Sequence, residues 1–162
     1  MSGTVAGASH PLMAPELEFV FELRVAVGPE QHVGRGPGEE LGFTPITGGT
    51  VSGPALDGEV VAGGGDWWVY RGDTTQLDAR YLLRASDGAV IDVMNRGYHR
   101  ADEALARRLE AGEPVTEQEL YYRTAPVFQT DAPAHRWLAE HQFIGLARPE
   151  PGHVCIRVFV VR

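Results

Sequence analysis

The stretch from Ile46 to Tyr81 constrains the fold most, because glycines interrupt its β-prone residues at short intervals. Within it, Gly63–Trp67 reads GGGDW and Leu77–Tyr81 reads LDARY. Glycine adopts positive φ angles and lets the chain turn tightly or approach another group closely. A carboxylate beside an indole, and a second carboxylate two residues before an arginine, stand among these turns. The pattern indicates a polar cluster inside a β-rich pocket.

Alternation of apolar and polar residues predicts that most of the chain forms strands. In Leu17–Val27, alternate apolar side chains share one face, which is typical of a half-buried strand. A turn at Ser86–Gly88 predicts a hairpin, and Ala101–Ala111 has the periodicity of a single helix. Pro133–Ala139 is expected to form one further helical turn. About eight or nine strands with one helix predict an all-β fold, an antiparallel barrel with the helix outside it.

Length and composition predict one domain at residues 16–162, preceded by a flexible N-terminal arm at residues 1–15. No apolar run approaches the roughly 20 residues of a membrane span, and no signal peptide is evident, so a cytoplasmic location is expected. The net charge of −8 argues against nucleic acid or membrane partners. Val154–Val161 is apolar on both faces, which predicts a central strand or a homodimer contact.

Composition also narrows the chemistry. All 14 basic residues are arginine, which excludes Schiff-base chemistry and a lysine base. Cys155, the single cysteine, lies in an apolar run and is expected to be a packed thiol. The histidines are scattered and the glycine-rich run lacks a phosphate-binding lysine, so neither a metal nor a cofactor is expected. Carboxylate, phenol and guanidinium groups remain, and these suit proton transfer.

The candidate catalytic residues are Asp66, Arg80 and Tyr122. Asp66 stands where a loop opens onto a strand, so it is a candidate acid or base, although a turn-capping role is the simpler alternative. Strand alternation places Asp78 and Arg80 on one face. That face lines the lumen in a barrel wide enough for a ligand and meets solvent in an open sheet, and the spacing leaves both readings open.

The candidate ligand-binding residues are Trp67, Asp78, Tyr98, Arg123 and Trp137. Trp67 and Trp68 point to opposite faces, so one of them is expected in the core and the other beside the ligand. We expect six side chains to converge on one cavity: Asp66, Trp67, Arg80, Tyr98, Tyr122 and Arg123. In this interpretation the two arginines bind an oxyanion. A buried structural ion-pair network explains the same residues nearly as well.

Several short sequence segments together resemble the bacterial and fungal family called domain of unknown function 3237. They are Ile46–Thr50, Gly53–Pro54, Gly64–Trp67, Leu77–Tyr81, Asp87–Ala89, Arg96–Tyr98, Tyr122–Thr124, Phe128 and Trp137–Leu138. The resemblance runs from about Phe19 to the C-terminus and implies a small antiparallel β-barrel of the calycin or allene-oxide-cyclase-like kind. Family members tend to have asparagine where this chain has Ala139. Glu140 and His141 are the candidates to replace it.

Two functions are consistent with these observations. The first is a cofactor-free cyclase, isomerase or dehydratase that acts on a small, apolar, carbonyl-bearing secondary metabolite in the barrel lumen. This reading draws on small barrels of similar shape that catalyse such reactions. The second is a non-catalytic protein that binds such a ligand. A polar cluster that only stabilises the barrel is a third reading.

Overall fold

The computed structural model describes residues 10–162. Most of the predicted N-terminal arm, residues 1–9, lies outside the described residues, and residues 10–15 are exposed and have no regular secondary structure. The strands are β1 (Leu17–Val27), β2 (Gln31–Gly36), β3 (Glu39–Ser52), β4 (Gly58–Val60), β5 (Gly65–Arg71), β6 (Thr74–Ala85), β7 (Val90–Arg100), β8 (Tyr121–Gln129), β9 (Phe143–Glu150) and β10 (His153–Val161). Helix α1 (Glu103–Glu110) and a 3-10 helix (Pro133–Ala139) complete the fold.

The ten strands occupy eight positions around a closed antiparallel barrel. β1 and β2 lie end to end beside β3, and β4 and β5 lie end to end between β3 and β6. From β6 onward each strand pairs with the next in the chain, and β10 pairs with β1 to close the ring. The predicted all-β barrel is therefore confirmed. β10 is a central strand, which explains why both of its faces are apolar.

One end of the barrel is filled by a solid hydrophobic core. The ring of Phe128 packs edge-on against Phe21 and Phe143, at centroid distances of 5.7 and 5.0 Å. Leu138 of the 3-10 helix is buried against the same cluster and closes this end. Burying such side chains contributes about 1.5–3 kcal/mol each. Because this half of the interior is full, space for a ligand remains only at the other end.

Helix α1 lies in the connection between β7 and β8, at the open end of the barrel. Its first turn is capped by Asp102, whose carboxylate accepts a hydrogen bond of 2.8 Å from the amide of Leu105. None of its side chains is buried, as expected for a helix outside the barrel. Within residues 10–162 no helix has the length and apolar character needed to cross a membrane.

Candidate active site

A cavity of about 470 Å³ occupies the open end of the barrel. This volume lies within the range of roughly 300–1,000 Å³ that is usual for small-molecule sites. The apolar part of its wall comes from inward side chains of five strands: Val25, Val27, Ile46, Trp68, Leu77, Ala79, Val154 and Ile156. Its deeper polar groups are Asp66, Tyr81, Asn95, Tyr122 and Thr124, and its further polar lining includes Glu30, His32, Glu40, His99, Glu150 and His153.

Asp66 is the carboxylate inside this cavity, and the glycines before it explain its position. Gly64 has a φ of 71°, and a Cβ built there would lie 2.2 Å from the carbonyl oxygen of Arg80. Only glycine therefore lets the chain approach β6 so closely before β5 begins. Asp66 is the first side chain of β5 to line the cavity, and its Oδ1 accepts a hydrogen bond of 2.9 Å from the amide of Asp78.

Burial raises the pKa of Asp66 from 3.8 to about 6. The hydrogen bond from the Asp78 amide opposes this rise, and the negative charges of Asp78 and Glu30 add to it. A carboxyl group with a pKa near 6 has both its acid and its base form accessible close to neutral pH. That property suits a group that both donates and accepts a proton during one reaction.

The other titratable groups around the deep part of the cavity are neutral at pH 7. Burial raises the pKa of Tyr81 and of Tyr122, and the charge of Asp66 raises both further. Both phenols therefore keep their protons. Burial lowers the pKa of His99, whose ring lies 5.1 Å from that of Tyr122. Asp66 is thus surrounded by uncharged hydrogen-bonding side chains.

Trp68, rather than Trp67, supplies the aromatic wall of the cavity. Its Nε1 donates a hydrogen bond of 3.1 Å to Oγ1 of Thr44. The indole lies across Gly42, where a built Cβ would come within 1.9 Å of a ring carbon. Trp67 faces outward, is 53% exposed and packs against Phe43. The expectation that Trp67 binds the ligand is corrected, because Asp66, Trp68 and Tyr70 hold the inward positions of β5.

Arg80 and Asp78 also lie on the outer wall. Arg80 forms an ion pair of 3.3 Å with Asp92, and Asp78 forms one of 3.1 Å with Arg96. The alternation along β6 is as predicted, but the lumen is lined by its apolar face. Leaving the charged face in water avoids the cost of burying ions. The prediction that Asp66 and Arg80 converge on one cavity is therefore wrong, and Arg80 does not reach a ligand bound there.

Three further predicted ligand contacts lie elsewhere. Tyr98 is on the outer face of β7 and is 52% exposed. The guanidinium of Arg123 donates to the carbonyl oxygens of Glu117, Leu120 and Tyr122, so it fixes the segment before β8. Trp137 belongs to the 3-10 helix at the closed end, where its ring lies 5.7 Å from that of Phe143. Of the predicted site residues, only Asp66 and Tyr122 line the cavity.

The residue that departs from the family pattern is also at the closed end. Ala139 is the last residue of the 3-10 helix and does not line the cavity. His141 makes its hydrogen bond away from the cavity, since its Nδ1 lies 2.8 Å from the carbonyl oxygen of Trp137. An alanine at this position therefore leaves the lining of the cavity unchanged.

The cavity carries negative but no positive side chains among the described residues. Asp66, Glu30, Glu40 and Glu150 line it, whereas none of the 14 arginines does. Residues 10–162 contain no group of three or more His, Cys, Asp or Glu side chains placed to hold a metal ion. Cys155 is buried outside the lining, and burial raises the pKa of its thiol to about 11. Neutral ligands therefore suit this cavity better than anions.

Five residues that line the cavity were not predicted from the sequence: Trp68, Tyr81, Asn95, His99 and Thr124. Four of them follow from the register of β6, β7 and β8, which places Tyr81, Asn95, His99 and Thr124 on the inner face. A usable signal was present at Asn95, which shares its face with the apolar residues Ile91 and Val93. A single amide on an apolar strand face is costly unless something binds it.

Comparison with known proteins agrees with this fold. The family described as "Protein of unknown function (DUF3237)" matches residues 15–161. A UPF0311 protein of Rhodopseudomonas palustris strain TIE-1 is 36% identical over 153 residues, which cover 92% of this chain and 99% of that protein. The crystal structure of a conserved protein of unknown function from Rhodopseudomonas palustris superposes with a TM-score of 0.85 at 32% identity, covering 94% of this chain and 100% of that one.

A further relative has a named activity. The hydroalkoxylation enzyme phnH of Penicillium herquei is 37% identical over 79 residues. The match covers 48% of this chain and 52% of that enzyme.

Proposed function

The chain belongs to the DUF3237 family, and we propose that it is a cofactor-independent enzyme of secondary metabolism. Its substrate would be a small, neutral and largely apolar molecule held in the barrel cavity, and Asp66 would move a proton on it. The observation that carries this proposal is a carboxyl group with a pKa of about 6 inside a cavity of ligand size. Perturbed carboxyl groups of this kind cluster at functional sites.

The partial similarity to a hydroalkoxylation enzyme supports a specific reaction class. Hydroalkoxylation adds a hydroxyl O–H bond across a carbon–carbon double bond, so that a C–O and a C–H bond form and no electrons are gained or lost. Protonated Asp66 would donate its proton to the alkene carbon. The hydroxyl oxygen would attack the neighbouring carbon and release its own proton to Asp66. The carboxyl group then ends each turnover in the state in which it began.

Cyclisation within one substrate molecule fits the cavity better than the joining of two molecules. The solid core closes the inner end of the cavity, and the indole of Trp68 forms part of its side wall. Holding a hydroxyl group against an alkene in such an enclosure supplies much of the rate advantage of an intramolecular reaction. Isomerisation of a double bond would use the same proton donor and acceptor.

A binding protein without catalytic activity is the second candidate. The observation in its favour is that aliphatic side chains and the indole of Trp68 form much of the cavity wall and contribute no acid–base chemistry. In that case Asp66 would accept a hydrogen bond from the ligand, which would leave the protein unaltered.

Deuterium incorporation separates the two functions. A panel of ortho-alkenyl phenols and naphthols, such as 2-prenylphenol, is incubated with the protein in D₂O, and the products are analysed by mass spectrometry. Hydroalkoxylation gives a cyclic ether that carries one new carbon-bound deuterium. Asp66→Asn should lower turnover by roughly 10²–10⁴-fold, as for loss of an acid–base group. Asp92→Asn, the same change on the outer wall, should leave it unchanged.

The enzyme proposal fails if bound phenols return without carbon-bound deuterium, in which case the binding function replaces it. It also fails if Asp66→Asn and Asp92→Asn have the same turnover.

A further inference from the structure

Three buried polar atoms at the cavity have no hydrogen-bond partner among residues 10–162. They are Oη of Tyr81, Oδ1 of Asn95 and Oγ1 of Thr124. The three residues are only 4%, 3% and 6% exposed, and all of them line the cavity. Polar groups buried in this way are usually paired, because an unpaired one forfeits the hydrogen bonds it made with water. The unsatisfied atoms therefore point to a partner that the described part of the chain does not supply.

Strand register places the three groups side by side. Asn95 on β7 lies opposite Ala79 of β6, and Tyr81 is the next inward residue along β6. On the other side, Thr124 of β8 lies opposite Gly97, the next inward position along β7. Diagonal neighbours of this kind are within reach of long side chains. Asn95 is thus flanked by two hydroxyl groups on one continuous patch of the inner wall.

A glycine keeps the hydroxyl group of Thr124 in place. Gly145 of β9 lies opposite Thr124, and a Cβ built at Gly145 would be 2.3 Å from Oγ1 of Thr124. Any larger residue would displace this hydroxyl group. The hydroxyl group therefore occupies the room that a side chain at Gly145 would need.

We propose that Tyr81, Asn95 and Thr124 form a subsite for a neutral carbonyl group with an adjacent hydroxyl group. This inference rests on the proposed function, because it names a hydroxyketone as the class of substrate for the same site. In the order of the patch, the hydroxyl group of Tyr81 donates to the ligand carbonyl, the amide oxygen of Asn95 accepts the proton of the ligand hydroxyl, and the hydroxyl group of Thr124 donates to the oxygen of that ligand hydroxyl. Asp66 lines the same cavity, opposite Ala79 of β6, which in turn lies opposite Asn95 of β7.

The subsite also predicts what is rejected. A carboxylate would meet the charges of Asp66 and Glu30, whereas Glu40 and Glu150 are already paired with arginines just outside the lining. It would lose its hydration and gain no cation in return. A hydrocarbon of the same shape would leave all three polar groups unpaired. The cavity should therefore bind the hydroxyketone more tightly than either the carboxylate or the hydrocarbon.

Binding to three naphthalene probes tests the subsite without requiring turnover. Isothermal calorimetry at pH 7.5 compares 2-hydroxy-1-(2-naphthyl)ethanone, 2-ethylnaphthalene and 2-naphthoate. The hydroxyketone should bind at least tenfold more tightly than either of the others. Thr124→Val and Tyr81→Phe, which each remove one hydroxyl group at nearly constant volume, should each weaken hydroxyketone binding about tenfold and leave binding of 2-ethylnaphthalene unchanged.

Two variants control for the chemical change itself. Tyr98→Phe and Thr50→Val remove hydroxyl groups from exposed positions and should not alter binding of any probe. The ligand-free Thr124→Val and Tyr81→Phe proteins should be as resistant to urea as the wild type or more so, because each loses an unpaired buried group. A ligand-free variant that unfolds far more easily would show that its hydroxyl group is structural and would overturn its assignment to the subsite.

The outcomes separate this inference from the proposed reaction. Selective binding of the hydroxyketone without deuterium transfer in any assay would retain the subsite and refute the enzyme. Turnover of the alkenyl phenols with equal binding of all three probes would retain the enzyme and refute the subsite. No measurable binding of 2-hydroxy-1-(2-naphthyl)ethanone up to its solubility limit would also refute the subsite.

Discussion

Replacing Asp66 by asparagine should make the protein more stable, by an amount that grows with pH. The wild-type carboxyl group has a pKa of about 6 in the folded protein and 3.8 as its ordinary value. The folded state thus binds this proton more tightly than the unfolded state does. The contribution of Asp66 to stability is therefore most favourable below pH 4, decreases as the pH rises toward 6, and is fully lost above it.

The size of the effect follows from the two pKa values. A difference between 3.8 and about 6 corresponds to a penalty of about 3 kcal/mol at pH 8, at about 1.36 kcal/mol per pKa unit. At pH 5 the same linkage gives about 1.6 kcal/mol. Asparagine keeps an oxygen that can accept the bond from the Asp78 amide, but it cannot ionise. The stability advantage of Asp66→Asn should therefore increase by about 1.4 kcal/mol between pH 5 and pH 8.

Urea unfolding of both proteins at pH 5, 6, 7 and 8 measures this difference. Every other titrating group is common to the two proteins, so its contribution cancels in the comparison. Asp92→Asn controls for removing one negative charge from a chain of net charge −8. An advantage that stays constant with pH, or that shrinks as the pH rises, would refute the raised pKa and with it the acid–base role of Asp66.

Two further substitutions test the corrected geometry. Arg80→Ala breaks an exposed ion pair with Asp92, so it should change the free energy of unfolding by no more than about 1 kcal/mol and leave probe binding intact; weaker hydroxyketone binding would return Arg80 to the site. Gly42→Ala places a methyl group where the indole of Trp68 now lies, so urea unfolding should show a loss of about 1–3 kcal/mol and near-ultraviolet circular dichroism should change. An unchanged spectrum would show that Trp68 is not packed against Gly42.

The barrel could be predicted because its signals are local. Each strand alternates over a short segment, and turns such as Ser86–Gly88 separate neighbours that pair in chain order. The boundaries of the 3-10 helix at Pro133–Ala139 were also predictable from its proline and short apolar pattern. The end-to-end pairs β1 and β2, and β4 and β5, were not, because an interruption and a new strand have the same pattern in sequence.

The site could be predicted only in part, since alternation gives two faces of a strand without showing which one lines the lumen. In β6 the charged face contains Asp78 and Arg80, and their outward ion pairs depend on partners from β7 that only the register reveals. Three glycines precede Trp67 and Trp68, so the inward and outward pattern of the earlier strand does not continue through them. The sequence therefore could not show which of the two indoles faces the cavity. Asp66 could be identified because the glycines that mark its position directly precede it in the sequence.

The placement of the charges limits the kind of reaction that this cavity can support. Burial raises the pKa of Asp66 toward neutrality, and the phenols beside it remain protonated. One such group can take a proton from a substrate and return it to another atom of the same molecule. Hydroalkoxylation and double-bond isomerisation both have this net stoichiometry. A reaction with an anionic co-substrate would instead require a positive side chain, and every arginine of this chain lies outside the lining. We therefore infer that the barrel relocates a proton within a single neutral ligand.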